Sequence, residues 1–283
     1  MKSNLFTSFS AQDMDSFLPE MKIGLLATVN PQGQPHVSLI SSIIASTPTQ
    51  MAFGQFIEGV SKEYIKDNPK TGFLIMSLDK QVWRGKAAYT HSATSGKEYD
   101  FYNNIPMFRY NSYFGIHTVH YMDLVSHSGK SALPMSKVIY AAILSTIART
   151  LGKKENKVNV LNAWTRTFMN KLDNLKFLCY IESDGYPVLI PAIQTQTLDS
   201  NRLLFSTAVY GDDLKQIPLG SSLAVFGMTL NMEDVLLRGD YQGIQRVGGI
   251  PCGVVEIDWV YNAMPPVPGQ IYPPVPIEAV TEF

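Results

Sequence analysis

The feature that most constrains this chain is a weak internal repeat. Residues from about 22 to 125 resemble those from about 175 to 260, landmark by landmark and in the same order. Each copy opens on a β-prone run, 23–29 or 177–181, and then turns on a glycine followed two residues later by a proline: Gly33 and Pro35 in one, Gly185 and Pro187 in the other. Glycine supplies the positive φ of a tight hairpin turn, and proline opens the return strand. A second run follows (37–45; 188–198), then a third ending in Phe53 or Phe205, a short helical segment (61–68; 212–217) and another apolar run (72–78; 222–228). Val82-Trp83-Arg84-Gly85 answers to Leu236-Leu237-Arg238-Gly239, and a last strand closes each copy at 117–125 or 253–260. The spans from Gly33 to Gly85 and from Gly185 to Gly239 differ by only two residues, so register is kept through the unit. Six short strands with close turns and one short helix predict a small barrel, and no alternation of strands with long helices competes with it.

The expected fold class is therefore mainly β: two split β-barrel units in tandem with connecting helices. The first unit is expected over 1–130, a helical connector over 131–173, a second, degenerate unit over 174–263 and a proline-rich tail over 264–283. In the connector, Ile139, Ala142, Ile143 and Ile147 form one apolar stripe at helical spacing, and Val160, Leu161, Trp164, Phe168 and Leu172 another. Both stripes are read as packing on the barrels. The tail, with prolines at 265, 266, 268, 273, 274 and 276, is read as extended.

Composition removes several classes of function. Lys plus Arg total 23 against 24 Asp plus Glu, without a long run of one sign, so no nucleic-acid or anionic membrane surface is indicated. Cys179 and Cys252 are far apart and lack CxxC spacing, which predicts two buried apolar side chains and no metal site. The amino terminus has acidic residues and no apolar secretory core, and the apolar stretch 138–151 is interrupted by Arg149 and shorter than the ~20 residues a span needs. A cytoplasmic location and no membrane partner are expected. Ser-His-Asp order, HExxH, GxxxxGK[ST] and GxGxxG are absent.

The stretch most informative about chemistry is 51–69, in which a strand end leads through Gly59 to Ser61-Lys62, and Asn68-Pro69 stops the helix that follows. Ser61 either caps this helix or gives its hydroxyl to a phosphate oxygen, with helix-start amides and Lys62 adding donors and charge. The order of the whole first copy resembles the FMN-binding split-barrel superfamily, the pyridoxamine 5'-phosphate oxidase-like and flavin reductase-like proteins. The resemblance rests on Gly33/Pro35, the strand at 37–43, Phe53 to Gln55, Ser61-Lys62 and Asn68-Pro69. It implies an FMN cofactor. It carries Ser38, Ser41 and Ser42 to the phosphate or ribityl side, Gln55 toward the ring, and Ser61 and Lys62 to the phosphate.

The same resemblance implies an FMN-dependent oxidoreductase acting on an unidentified small organic substrate, with NAD(P)H as a candidate donor; the alternative is a non-catalytic flavin or haem binding or carrier protein. A barrel that kept no cofactor and serves only in interaction is a further alternative. Barrels of this family pair, which implies either internal pairing of the two copies or a homodimer. Two departures narrow the reading. Ser38 and Ile43 stand where true pyridoxamine phosphate oxidases carry an arginine and a lysine, so that substrate is not expected. The second copy reads Gly211-Asp212-Asp213 at its helix, where two carboxylates would repel a phosphate, so one flavin per chain is expected.

The first copy also has an insertion at 97–120, rich in aromatics and carrying Arg109, Tyr113 and His117 as substrate-side candidates. It either covers a flavin face, with Arg109 or His117 near a reduced anionic ring, or packs between barrels. His36, beside the turn proline, is read as exposed. Trp83 is read as core, because the second copy has Leu237 in its place, and Arg84 and Arg238, shared by both copies, as structural.

Overall fold

The computed structural model describes residues 5–56, 59–105, 115–152, 158–262 and 268–276. The chain divides into two compact units: Met1–Leu133 with Ile181–Leu189, and Pro134–Tyr180 with Ile190–Phe283.

The first unit carries strands β1 (Lys22–Val29), β2 (Pro35–Leu39), β3 (Ile44–Thr47), β4 (Gln50–Gln55), β5 (Lys70–Ser77), β6 (Gln81–Ala93), β7 (Thr118–His127) and β8 (Ser131–Ala132), with helices α1 (Ala11–Phe17), α2 (Val60–Asp67) and α3 (Lys97–Asn104). Its strands pair antiparallel in the order β2-β1-β5-β6-β7-β4-β3, with β8 on β6. The β1–β2 turn shows why the glycine is needed. Gly33 has φ 74°, the Asn30 amide reaches the Gln34 carbonyl at 2.9 Å, and Asn30 Oδ1 accepts from the Gln32 and Gln34 amides.

The interior is filled by Leu26, Ile43, Met51, Phe53, Ile65, Phe73, Ile75, Trp83 and Met122. Trp83 is core, as expected, and its indole N–H donates to Asp13 at 2.7 Å. Asp13 belongs to α1, which the sequence reading did not find. Ser10 and Asp13 form its capping box, and Phe17 sets its ring edge-on to Trp83 at 5.1 Å.

The second sheet, built mainly by the second unit, repeats this order with β9 (Leu175–Ile181), β10 (Pro187–Pro191), β11 (Gln196–Thr197), β12 (Arg202–Ser206), β13 (Ser222–Met228), β14 (Asp234–Val247) and β15 (Ile250–Asn262), as β10-β9-β13-β14-β15-β12-β11. The described part of the proline-rich tail is extended, and its β16 (Gly269–Tyr272) pairs with β15. This unit also holds α4 (Met135–Gly152), α5 (Ala163–Asn170) and the single turn α6 (Gly211–Leu214). Both cysteines are buried, and burial pushes the Cys252 thiol up to about 11.

The stripe expected to anchor the long helix does not do so. Ile139, Ile143 and Ile147 are exposed, and of the four residues only Ala142 is buried. The packed face is Val138, Ala141, Ala142, Ser145 and Ala148. Its small side chains let the helix backbone come close to the sheet: Ala148 packs with Leu198, Leu204 and Val254, Ser145 Oγ accepts from the Ser206 amide at 3.0 Å, and Gln196 donates to the Ala142 carbonyl and the Thr146 hydroxyl. In the second stripe Val160, Leu161 and Phe168 are buried as expected, whereas Trp164 and Leu172 are exposed. No helix among the described residues is long and apolar enough to cross a membrane.

Candidate functional site

The polar groups expected to serve a cofactor lie on the first unit, around the end of β4 and the start of α2. Strand alternation decides which of them face inward. In β7, His120, Met122 and Leu124 share one face, and His120 pairs directly with Phe53 of β4. The imidazole is buried, stacks on the Phe53 ring at 4.9 Å and 18°, and has Tyr89 at 6.0 Å. Its Nε2 lies 2.8 Å from Gln55 Oε1, which makes Nε2 the donor when the amide is oriented this way, while Nδ1 is buried with no hydrogen-bond partner. Burial, with the charges of Lys62 and Lys66 behind it, lowers the ring's pKa to about 4. His120 is thus neutral at physiological pH, in the positive field of two lysines.

Helix α2 supplies those charges. It starts after Gly59, whose φ of −166° is extended, and no side chain caps it. Ser61 is therefore not the cap: it is the second helical residue, buried beside Ile65. The Lys62 side chain folds back over the helix start, its Nζ 3.5 Å from where a Cβ on Gly59 would stand. The Lys62 amide donates to the Gly59 carbonyl at 3.0 Å, and the Lys62 ammonium group beside the positive end of the helix suits an anion.

The other expected residues are distributed unevenly. Ser42 is withdrawn from any ligand. Its buried hydroxyl donates to the Gly54 carbonyl at 3.0 Å and accepts from the Gly54 amide at 3.1 Å, so it ties the turn after β2 to β4. Ser41 is half-buried in that turn, and Ser38 is half-buried on β2 opposite Leu26. His117 is exposed at the start of β7, its Nδ1 2.8 Å from the Thr118 hydroxyl. Arg109 and Tyr113 lie outside the described residues. The structure joins Gln55 to His120 and puts both in the field of Lys62 and Lys66; the sequence reading gave no role to His120 or Lys66. The signal for His120 was available, since it shares the period-2 face of Met122 and Leu124.

The described part of the insertion is fastened to the sheet of the first unit. Helix α3 packs on the back of β4, where Tyr102 is fully buried and donates to the carbonyls of Ser42 (2.8 Å) and Ala52 (3.0 Å). Asn103 fastens it to Ile116 through both amide atoms. Tyr102, Ile105, Ile116, Val119 and Tyr121 form a second small core there. The expectation for His36 is also corrected. It lies within β2 opposite Thr28, is 3% exposed, and meets Tyr64 of α2 edge-on at 5.5 Å.

Among the described residues no group of His, Cys, Asp and Glu could hold a metal ion. A cleft of about 200 Å³ opens between α1, β3 and α3, lined by Met14, Leu18, Ile44, Glu98 and Phe101. It falls short of the ~300 Å³ at which ligand pockets begin.

No family model and no curated protein match the sequence. Solved structures do. An FMN-binding protein from Syntrophomonas wolfei is 12% identical and covers 43% of this chain and 84% of its own, with a TM-score of 0.36. HupZ of Group A Streptococcus is 16% identical, covering 44% of this chain and 99% of its own at a TM-score of 0.36. A FAD-binding protein from Mesorhizobium loti is 13% identical, covering 45% and 99% at 0.30. The two antiparallel sheets of like strand order make the chain a tandem of two split β-barrel units.

Proposed function

We propose that the first unit binds one flavin, FMN, and that the protein is a cytoplasmic flavin-dependent oxidoreductase acting on a small organic substrate with NAD(P)H as donor. The observation that carries this reading is the 2.8 Å hydrogen bond between half-buried Gln55 and the buried His120 imidazole, a pair that feels the positive charge of Lys62 and Lys66 on α2. The second unit has Gly253 and the carboxylates of Asp212 and Asp213 in the corresponding places. Lys62 and the start of α2 hold the phosphate, Lys66 in the last turn of the helix adds positive charge, and Ser38 and Ser41 border the ribityl side. Because His120 donates to Gln55 Oε1, the Gln55 amide N–H groups are left to donate toward the ring. The flavin, when bound, supplies hydride or single-electron transfer, and the protein supplies orientation and charge.

The absorption spectrum of the purified protein and fluorescence titration with FMN and FAD test the reading. FMN is expected to bind with one flavin per chain, and Lys62→Ala with Lys66→Ala to weaken it by about 2–4 kcal/mol. A colourless protein that quenches neither flavin, or unchanged affinity in the double variant, would overturn it. Anaerobic mixing with NADH or NADPH separates catalysis from carriage, because a bound flavin that neither donor bleaches belongs to a carrier.

A further inference from the structure

Helix α4 has two apolar faces and uses one. On the sheet side lie Val138, Ala141, Ala142, Ser145 and Ala148. On the outward side Ile139 is 56% exposed, Tyr140 57%, Ile143 51%, Ile147 43% and Leu151 66%, five large apolar side chains, more than any other described element exposes. Four of them recur every fourth residue and form one continuous ridge, and the outward arc from Ser136 to Leu151 carries no charge. A helix that is apolar all round is a buried helix.

We propose that this ridge is a self-association surface, occupied by α4 of a second copy of this chain in an antiparallel two-fold pairing. The stripe is symmetric about position 145, so an antiparallel crossing sets Ile143 against Ile147 of the partner subunit and Ile139 against Leu151 of the partner subunit. Such an interface is self-complementary, as a two-fold contact must be.

Charge favours the same occupant. The only charged residues of α4, Lys137 and Arg149, flank the ridge on opposite margins. Antiparallel pairing keeps the two copies of Lys137 about 24 Å apart along the axis and those of Arg149 about 12 Å, at 1.5 Å per residue. Both separations exceed the ~8 Å Debye length, so like charges do not oppose the pairing. An anionic lipid surface would instead call for a cationic rim, and one cation on each side is a poor one. The ridge offers on the order of 500 Å² of apolar surface, at the top of what one patch on a monomer exposes. That is more than half of the ~800 Å² per partner of a standard interface, which points to a reversible dimer at micromolar concentration.

Sedimentation equilibrium of the full chain from micromolar to millimolar protein tests this. The wild type is expected to dimerise reversibly, while Ile143→Glu and Ile147→Lys are each monomeric at concentrations where the wild type is a dimer. Mixing the two variants is expected to restore the dimer, since position 143 of one then faces position 147 of the other as a glutamate–lysine pair. Both side chains are exposed, so circular dichroism melts should match the wild type and show that folding is intact. A wild type monomeric throughout, a dimer indifferent to both substitutions, or single variants not rescued by mixing would overturn the proposal. So would a monomer whose binding to anionic vesicles is abolished by Ile143→Glu.

Discussion

At the same point in its sheet the first unit carries His120 and the second Gly253. Each stands opposite a phenylalanine, Phe53 or Phe205. In the first unit the imidazole fills the space over that ring; in the second a Cβ at 253 would lie 2.2 Å from the Phe205 ring, and Tyr241 stacks there instead, at 6.2 Å and 11°. A second pair of places follows the same logic. Ser42 satisfies both the carbonyl and the amide of Gly54, whereas Gln194 reaches only the carbonyl of Ser206, whose amide is taken by Ser145 of α4. The backbone of β3–β4 and of β11–β12 thus makes the same demands, and different side chains meet them. The lesson is that strand order fixes where polar groups must be satisfied, while single residues decide whether anything is left to face a ligand.

The largest effect expected from this contrast is one of pH. His120 has its pKa lowered from 6.5 to about 4 in the folded unit. Between those values the unfolded chain binds a proton that the folded site refuses, so stability is full above pH 6.5 and falls as the pH drops toward 4. The loss should be on the order of 3 kcal/mol in the first unit. Hydrogen exchange at pH 7 and pH 4.5 should show it in β4 and β7, with little change in β12 and β15, and His120→Leu should remove it. Equal loss in both units would break the contrast.

Next in size is Gly253→Ala, which should lower the stability of the second unit by about 2 kcal/mol through the clash with Phe205. Urea unfolding measures this, and a neutral result would mean that Tyr241 and Phe205 yield easily. The smallest effect is expected from Ser42→Ala, about 1 kcal/mol, because the Gly54 amide and carbonyl lose a buried partner. Flavin affinity should stay unchanged in this variant, and a loss of affinity would return Ser42 to the binding site.

Much of the fold was legible because turns and strands are local. Gly33 and Gly185 both hold positive φ, and the short helix expected at 61–68 is observed as Val60–Asp67. Helix α1 was missed because its signals are small: one capping box and one buried residue, Phe17. His36 was misread because the residue after a turn proline was taken as part of the turn, whereas it already belongs to β2. Ser42 was assigned to a ligand because a serine does not reveal whether its hydroxyl is already occupied by a backbone twelve residues away.

The sequence by itself determined the repeat, the strand succession and the asymmetry between Ser61-Lys62 and Asp212-Asp213, because each is written in turn chemistry, alternation or charge over a few adjacent residues. Only the tertiary structure decided which face of α4 meets the sheet. Helical period marks both of its faces as apolar, and the choice between them rests on how closely small side chains let a backbone approach. It also decided that His120 is buried in the field of Lys62 and Lys66, since burial and the field of charges are properties of groups that the chain brings together from more than fifty residues apart.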